Sequence, residues 1–337
     1  MSTRAAFGTA APKAEGAVPD QGGHRPRAPG PPLHSRDLQA VAEPATQPLA
    51  PARTADRPVA AVEGRDWRRL LARLLLYAIL LLGGLGMIFP FLWMISSSLK
   101  HAKDIYALAL IPPDATLANY RHVLEETSYV RWFANSLVVA TITTASVAFF
   151  DSLAGYVLAK FRFPLKNVIF VTILSTLMVP TEMLVIPWYL MSIELGWTDT
   201  YWGVMFPGVI SAFGVFLMRQ FFLTVPNELL DAGRIDGFSE FGLFWKVALP
   251  LVKPAVAALC IFTFLGNWNA YLWPLIAIRS EEMRTLPVGI AFFSSEAGSD
   301  YELIMTAAAL ATIPVLVIFA IFQRQIIRGI ALTGIKG

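Results

Sequence analysis

Six long apolar runs dominate this sequence, at 70–95, 132–158, 168–190, 201–223, 256–278 and 303–327. Each is near or above the ~20 residues that a helix needs to cross the hydrocarbon core of a bilayer. Buried helices of a large soluble protein are the alternative reading, but those would carry an amphipathic polar stripe, and these runs have almost none. Composition agrees: 55% of the 337 residues are hydrophobic and 15% charged, with mean hydropathy +0.56, whereas a soluble domain carries roughly 25% charged residues. The expected fold class is an all-α membrane protein with six transmembrane helices.

Residues 1–64 differ from the rest. They are rich in Ala, Pro, Gly and Arg and include Pro29-Gly30-Pro31-Pro32. Such a segment cannot bury enough apolar surface to offset the entropy of ordering, so it is expected to be a disordered tail. It does not read as a secretory signal, because the apolar run starts late and is far longer than an h-region. Residues 65–337 then form the six-span domain.

Lys and Arg set the expected orientation. Arg65, Arg68, Arg69 and Arg73 precede or open the first run. Lys160, Arg162 and Lys166 lie between the second and third, Arg219, Arg234, Lys246 and Lys253 around the loop after the fourth, and Arg324, Arg328 and Lys336 close the chain. The other loops carry acids: Asp104, Asp114, Glu125 and Glu126, then Glu194 and Asp199, then Glu281, Glu282, Glu296 and Asp300. Both termini are therefore expected in the cytoplasm. Trp93, Trp132, Trp188, Trp202 and Trp273 fall at the outer ends of runs, where an aromatic belt would sit. Pro90, Pro180, Pro187, Pro207 and Pro314 interrupt the runs and favour kinks.

The sequence offers little for catalysis. No phosphate-cradling G-x-x-x-x-G-K-[ST], no H-E-x-x-H and no G-x-S-x-G is present. The four histidines, His24, His34, His101 and His122, lie outside the runs, so no intramembrane metal site is expected. Cys260, the single cysteine, reads as a small apolar residue and excludes an intrachain disulfide. A net charge of +3 is too weak to argue for nucleic acid. Asp151 and Glu182 fall inside runs, and an ionisable group there faces a cavity or a partner helix. They could serve a pathway, hold a helix break, or support a proton-coupled secondary transporter.

The loop over 224–251 is the most informative segment. Pro226 suits the first turn of a helix, with Glu228 and Asp231 near its positive end. Gly237 can end that helix with a left-handed turn. Ser239 can cap a second short helix, which Leu249-Pro250 would end. Leu229, Leu230, Ile235, Phe241 and Phe244 exceed what a solvated loop needs and suggest a protein partner; an interfacial hairpin lying on lipid is the alternative.

At this loop the chain resembles the permease subunits of binding-protein-dependent ABC importers. Their hallmark is E-A-A, three residues, G, nine residues, then I-x-L-P. Here it reads Asp231-Ala232-Gly233, then Gly237, then Val247-Ala248-Leu249-Pro250. Asp replaces Glu, Gly the second Ala and Val the Ile, and Phe238 stands where the sugar-permease version usually has Ala. Phe264 to Leu275, Thr285-Leu286-Pro287-Val288-Gly289, Arg219-Gln220-Phe221-Phe222 and the closing Thr333-Gly334-Ile335-Lys336-Gly337 are similar to the maltose-type carbohydrate branch. The similarity spans roughly 68–337.

The resemblance implies a type I importer permease fold, needing no cofactor and having no ATPase site of its own. It implies a second permease subunit, two cytoplasmic ATPase subunits and an extracytoplasmic sugar-binding protein as partners, in the plasma membrane. It assigns ATPase coupling to Asp231, Ala232, Gly233, Asp236, Gly237, Leu249 and Pro250. For the sugar path, the polar and aromatic residues Asn267, Trp268, Asn269 and Tyr271 are candidates, with Asp151. Helical spacing puts Asn267 on a strip with Thr263 and Tyr271, and Asn269 on one with Leu265 and Trp273. The more polar strip makes Asn267 the expected path residue. A membrane enzyme with an unrecognised site is the remaining alternative.

Overall fold

The computed structural model describes residues 66–295 and 298–334. The expectations for 1–64, Glu296 and 335–337 lie outside the described residues. Twelve helices carry the description: α1 (Asp66–Ser98), α2 (Tyr129–Lys160), α3 (Lys166–Ser175), α4 (Val185–Glu194), α5 (Tyr201–Met205), α6 (Ala212–Thr224), α7 (Asn227–Ile235), α8 (Glu240–Leu243), α9 (Lys253–Trp268), α10 (Leu272–Ala277), α11 (Leu286–Ala291) and α12 (Tyr301–Gly334). Short 3-10 and π turns join several of them, and the described strands are a two-residue ribbon, Ser294–Ser295 against Gly298–Ser299.

Three helices are long and apolar enough to cross a membrane unaided: Arg69–Ser98, Tyr129–Lys160 and Tyr301–Gln323. By length and composition alone, counting each bent pair among the described residues as one span raises the number to as many as six. Lys166–Met178 and Thr181–Glu194 meet at 94°, Tyr201–Gly208 and Ala212–Thr224 at 45°, and Glu240–Leu251 and Lys253–Trp268 at 84°.

Proline explains most breaks. A proline has no N–H for the carbonyl four residues back, and its ring crowds that carbonyl. Pro180 follows Thr176, where α3 tightens into a 3-10 turn, and Pro207 sits at the bend of the fourth run. Pro274 follows Ala270, and there the fifth run breaks: α9 stops at Trp268 and α10 starts at Leu272. The expected single helix over 256–278 is therefore corrected to two helices, and the proline responsible was absent from the expected kinks. Pro90 and Pro314 instead lie inside helices that run on through them, and Pro187 sits in the first turn of α4, where its missing N–H costs nothing.

α2 is the central helix. It packs along α6 and α9, and α9 packs on α12. One apolar cluster joins Tyr156 of α2 and Phe222 of α6 to Leu230, Leu243 and Phe244 of the 224–251 loop. A second joins Tyr129 and Trp132 to Trp268, Leu286 and Ala307 at the opposite end of α2. Trp132 is thus a core residue, its Nε1–H donating to Glu281 O at 3.0 Å, rather than part of an interfacial belt. Of the five tryptophans expected in that belt, Trp202 is the one largely exposed, while Trp188 and Trp273 stack edge to face at 5.6 Å.

α1 touches the rest mainly through its end. Along most of its length its large apolar side chains are uncovered, whereas Ser96, Ser97 and Ser98 are buried. Asn119 donates to Ser98 O and Lys100 O, and Thr306 Oγ1 donates to Ser98 O.

Candidate functional site

The 224–251 loop folds as a helical hairpin. α7 begins at Asn227, just after Pro226, and ends in a Schellman motif: Phe238 N–H donates to Gly233 O at 3.0 Å and Gly237 N–H to Arg234 O at 3.1 Å. Gly237 has φ +84°, a left-handed conformation that costs other residues roughly 1–2 kcal/mol. Ser239 then caps α8, its Oγ accepting from Gly242 N–H at 3.2 Å. The second helix does not end at Leu249-Pro250. It widens into a π turn over Phe244–Ala248 and runs on to Leu251 before turning through Val252. Pro250 supplies the reason, since it cannot donate to Lys246 O, the bond that an α-helix would place there.

One face of the hairpin is buried. Leu230, Leu243 and Phe244 are almost without exposure and meet Tyr156 and Phe222, with Tyr156 5.4 Å from both the Phe222 and Phe244 rings. Leu230 and Phe244 are thus anchors, a correction to their expected exposure. The outward face carries Leu229, Ile235, Phe238, Phe241 and Trp245, with Ile235 87% exposed. Lys160 at the end of α2 donates to Val225 O and to Asn227 Oδ1, which fixes the start of α7.

Charges brace the turn. Arg234 donates to both oxygens of Glu240, Nε–Oε1 2.8 Å and Nη2–Oε2 3.1 Å, and to Asp231 Oδ1 at 2.6 Å. The Glu240 bond, the Asp231 bond and both charges together hold the guanidinium firmly protonated, and the Arg234 bond holds the Glu240 carboxyl below the usual carboxylate range. Asp231 therefore sits inside the hairpin's own network. Glu240 escaped the sequence reading; its charge, six residues after Arg234 across a predicted turn, was the available signal.

Gly233 is buried, and a Cβ there would lie 2.5 Å from Leu243 Cδ2, so α7 and α8 meet across it. Ala232 and Asp236 complete the α7 end, with Asp236 N–H donating to Ala232 O at 2.9 Å. Leu249 packs partly buried against the Tyr156 cluster, and Pro250 lines an open cleft of about 440 Å³ with Trp245 and Lys253.

The candidate path residues separate. Asn267 is half-buried, donates to its own helix at Thr263 O and turns its Oδ1 toward Gly208. Trp268 is buried between Phe133 and Phe264, and its Nε1–H donates to Ala311 O at 3.3 Å. Asn269 and Tyr271 are exposed, beyond the point where α9 ends. The strips that grouped Tyr271 with Asn267 and Trp273 with Asn269 require a continuous helix and do not hold. Asn269 borders a cleft of about 460 Å³ with Phe91, Pro287, Thr312 and Val315. Asp151 lies elsewhere, fully buried at the start of α6, where it accepts from Ser211. Glu182 sits exposed in the 3-10 turn after Pro180.

Comparison with known proteins places the chain among transport permeases. Residues 151–332 match the family described as binding-protein-dependent transport system inner membrane component. The chain is 38% identical over 255 residues to the arabinooligosaccharides transport system permease protein AraQ of Bacillus subtilis, covering 74% of this chain and 91% of that protein. It is 33% identical to the lactose transport system permease protein LacG of Rhizobium radiobacter, over 78% of this chain and 96% of that one. Identity to the sn-glycerol-3-phosphate transport system permease protein UgpE of Brucella abortus is 32%, over 79% and 98%. A chain of a bacterial ABC transporter that imports the acidic polysaccharide alginate shares the fold, with TM-score 0.70 at 23% identity over 78% of this chain and 99% of that chain.

Proposed function

The chain belongs to the binding-protein-dependent transport system inner membrane component family, and from that membership we propose that it carries a sugar or oligosaccharide across the plasma membrane, with the 224–251 hairpin as the contact through which the ATPase drives it. It is a multi-pass permease subunit of an ABC importer, without ATPase activity of its own. It works with a second permease subunit, ATPase subunits and an extracytoplasmic binding protein. The carbohydrate substrate class follows the AraQ and LacG relatives, named for arabinooligosaccharide and lactose transport.

The observation that carries this reading is the two-faced hairpin. Its inner face is pinned to α2 and α6 by Leu230, Leu243 and Phe244, while Ile235, Phe241 and Trp245 stay uncovered. An apolar patch of that kind marks a protein contact. ATPase closure would push a rigid element, and its anchors would pass the displacement to the helices that form the path. In this reading the hairpin, 160–167 and both termini face the cytoplasm. Asn269 and Tyr271, exposed where α9 breaks, are the residues we assign to the path, with Trp268 holding α9 to α12 behind them.

Uptake by proteoliposomes of the assembled transporter tests it. Uptake should require ATP on the hairpin side and binding protein on the other, and should survive collapse of the proton gradient. Uptake that needs the gradient and not ATP would overturn the reading in favour of a proton-coupled carrier.

A further inference from the structure

Asp151 and Ser211 meet at the only point where the broken fourth span touches a charged side chain buried in α2 among the described residues. Ser211 N–H approaches the two carboxylate oxygens at 3.1 and 3.2 Å, and its Oγ–H donates to Oδ2 at 2.8 Å. The same Oγ accepts from Gly214 N–H at 2.9 Å and so caps α6. Asp151 is fully buried. Its negative charge stands at the positive end of a helix of 13 residues. Gly214 makes this approach possible, since a Cβ there would lie 2.0 Å from Oδ2. One turn of α2 further on, Gly155 lets the backbones close, a Cβ on it lying 2.8 Å from Arg219 N and from Met218 Cβ.

The latch stands at one end of α6 and the hairpin at the other. α6 runs from Ala212, capped by Ser211, to Thr224 and passes through Val225 and Pro226 into α7. α2 runs beside it from Asp151 to Tyr156 and Lys160, which hold the hairpin. Before Ser211, the chain bends by 45° into Tyr201–Gly208. A bend is where a push along α6 would be absorbed unless the start of α6 is fixed.

We infer that Asp151 is a positioning residue: it latches the start of α6 to α2, so that displacement of the hairpin moves both helices as one lever and reaches the bend of the fourth span. The inference rests on the hairpin being the ATPase contact. Without the latch, hydrolysis continues while α6 slips against α2, and fewer solutes cross per ATP.

The test measures uptake and ATP hydrolysis together in the assembled transporter with its binding protein, for Ser211→Ala, Asp151→Asn, Asp151→Ala and Asp151→Ala with Gly214→Ala. Ser211→Ala keeps the N–H and removes two bonds, the one to Oδ2 and the cap on Gly214 N–H. Asp151→Asn keeps an acceptor for Ser211. The double variant refills the volume that the carboxylate vacates, with its new methyl 2.9 Å from Ser211 Oγ, which must shift slightly. The latch predicts at least about fivefold fewer solutes per ATP in Asp151→Ala, the low end of typical coupling between sites, with hydrolysis retained. It predicts a smaller loss in Ser211→Ala, near-normal coupling in Asp151→Asn, and no recovery in the double variant. Recovery of coupling in the double variant would show that Asp151 only fills space, and an unchanged ratio in Ser211→Ala and Asp151→Ala would also overturn the latch. Ile235→Glu, measured alongside, separates the two readings. If it abolishes hydrolysis stimulated by binding protein while the Asp151 ratio stays normal, the hairpin reading stands and the latch falls.

Discussion

Arg234 grips Glu240 across the Gly237 turn, with Nε–Oε1 at 2.8 Å and Nη2–Oε2 at 3.1 Å. The pair is exposed, and exposed pairs contribute about 0.2–1 kcal/mol. Its value is geometric: it sets the angle between α7 and α8. Glu240→Ala should leave the permease assembled and raise amide exchange at Gly237 and Phe238. The pH dependence has a definite sign. The folded Glu240 carboxyl lies below its ordinary value because Arg234 donates to it. Its contribution is complete above the unfolded value of about 4.3 and is lost as pH falls through the folded value. Protection at the turn, measured against the intrinsic exchange rate at each pH, should therefore fall on acidification in the native protein, and Glu240→Ala should remove that component of the fall.

Gly237 carries the turn itself. Nothing would crowd a Cβ there, so the cost of replacing it comes from φ +84° alone. Gly237→Asn, which tolerates the left-handed region, should keep most transport. Gly237→Val should lose it while inserting normally, because a β-branched residue is a genuine outlier at positive φ. Equal transport by the two variants would remove the Schellman turn from the account.

Gly233 and Leu243 should behave as a coupled pair. Gly233→Ala brings a methyl to 2.5 Å from Leu243 Cδ2, in a spot where Leu243 has no exposure. Overpacking of this sort costs about 1–3 kcal/mol. Leu243→Val should relieve part of it, so the double variant should be more stable to detergent or heat than the sum of the single effects requires. Additive losses would mean that the two side chains do not meet.

The hairpin was legible in the sequence because its signals are local. Gly237 and Ser239 do what their positions suggest, and Pro226 stands one residue before the helix rather than inside its first turn. The second helix was read too short because a π turn lets the chain absorb Pro250, and no local pattern announces a widened turn. The break at Ala270 was readable from Pro274 but was hidden by a run whose apolarity continues across it. What the sequence could not yield is pairing between distant elements. Asp151 stood out as costly, yet its partner Ser211 is 60 residues away, and only the packing of α2 on α6 brings them together. Leu230 and Phe244 read as exposed for the same reason, since their cover comes from Tyr156 and Phe222.

Asp199 staples two loops at the end of the molecule away from the hairpin. Its Oδ1 accepts from Arg279 N–H at 2.9 Å, Ser280 N–H at 3.0 Å and Ser280 Oγ–H at 3.0 Å. Burial alone would raise the carboxyl; the Ser280 and Arg279 donors and the Arg279 charge outweigh it and hold it below its ordinary value. The staple is thus complete above the unfolded value of about 3.9 and weakens as pH falls through the folded one. Asp199→Ala should speed amide exchange at Arg279 and Ser280 at neutral pH. Asp199→Asn keeps an acceptor and suits φ +60°, so it should slow that exchange again. Exchange unchanged in Asp199→Ala would contradict the staple.

The central claim is that the outward face of the hairpin is where the ATPase docks. With Cys260 replaced by Ala, Ile235→Cys places a thiol at its most exposed apolar position. In the assembled transporter a short bifunctional reagent should join that thiol to the ATPase subunit, and the bond should abolish transport. Ala115→Cys, exposed in the loop between α1 and α2, should react only from the opposite side of the membrane. Cross-linking of Ile235→Cys to the binding protein, or reaction of both thiols from the same side, would contradict the account.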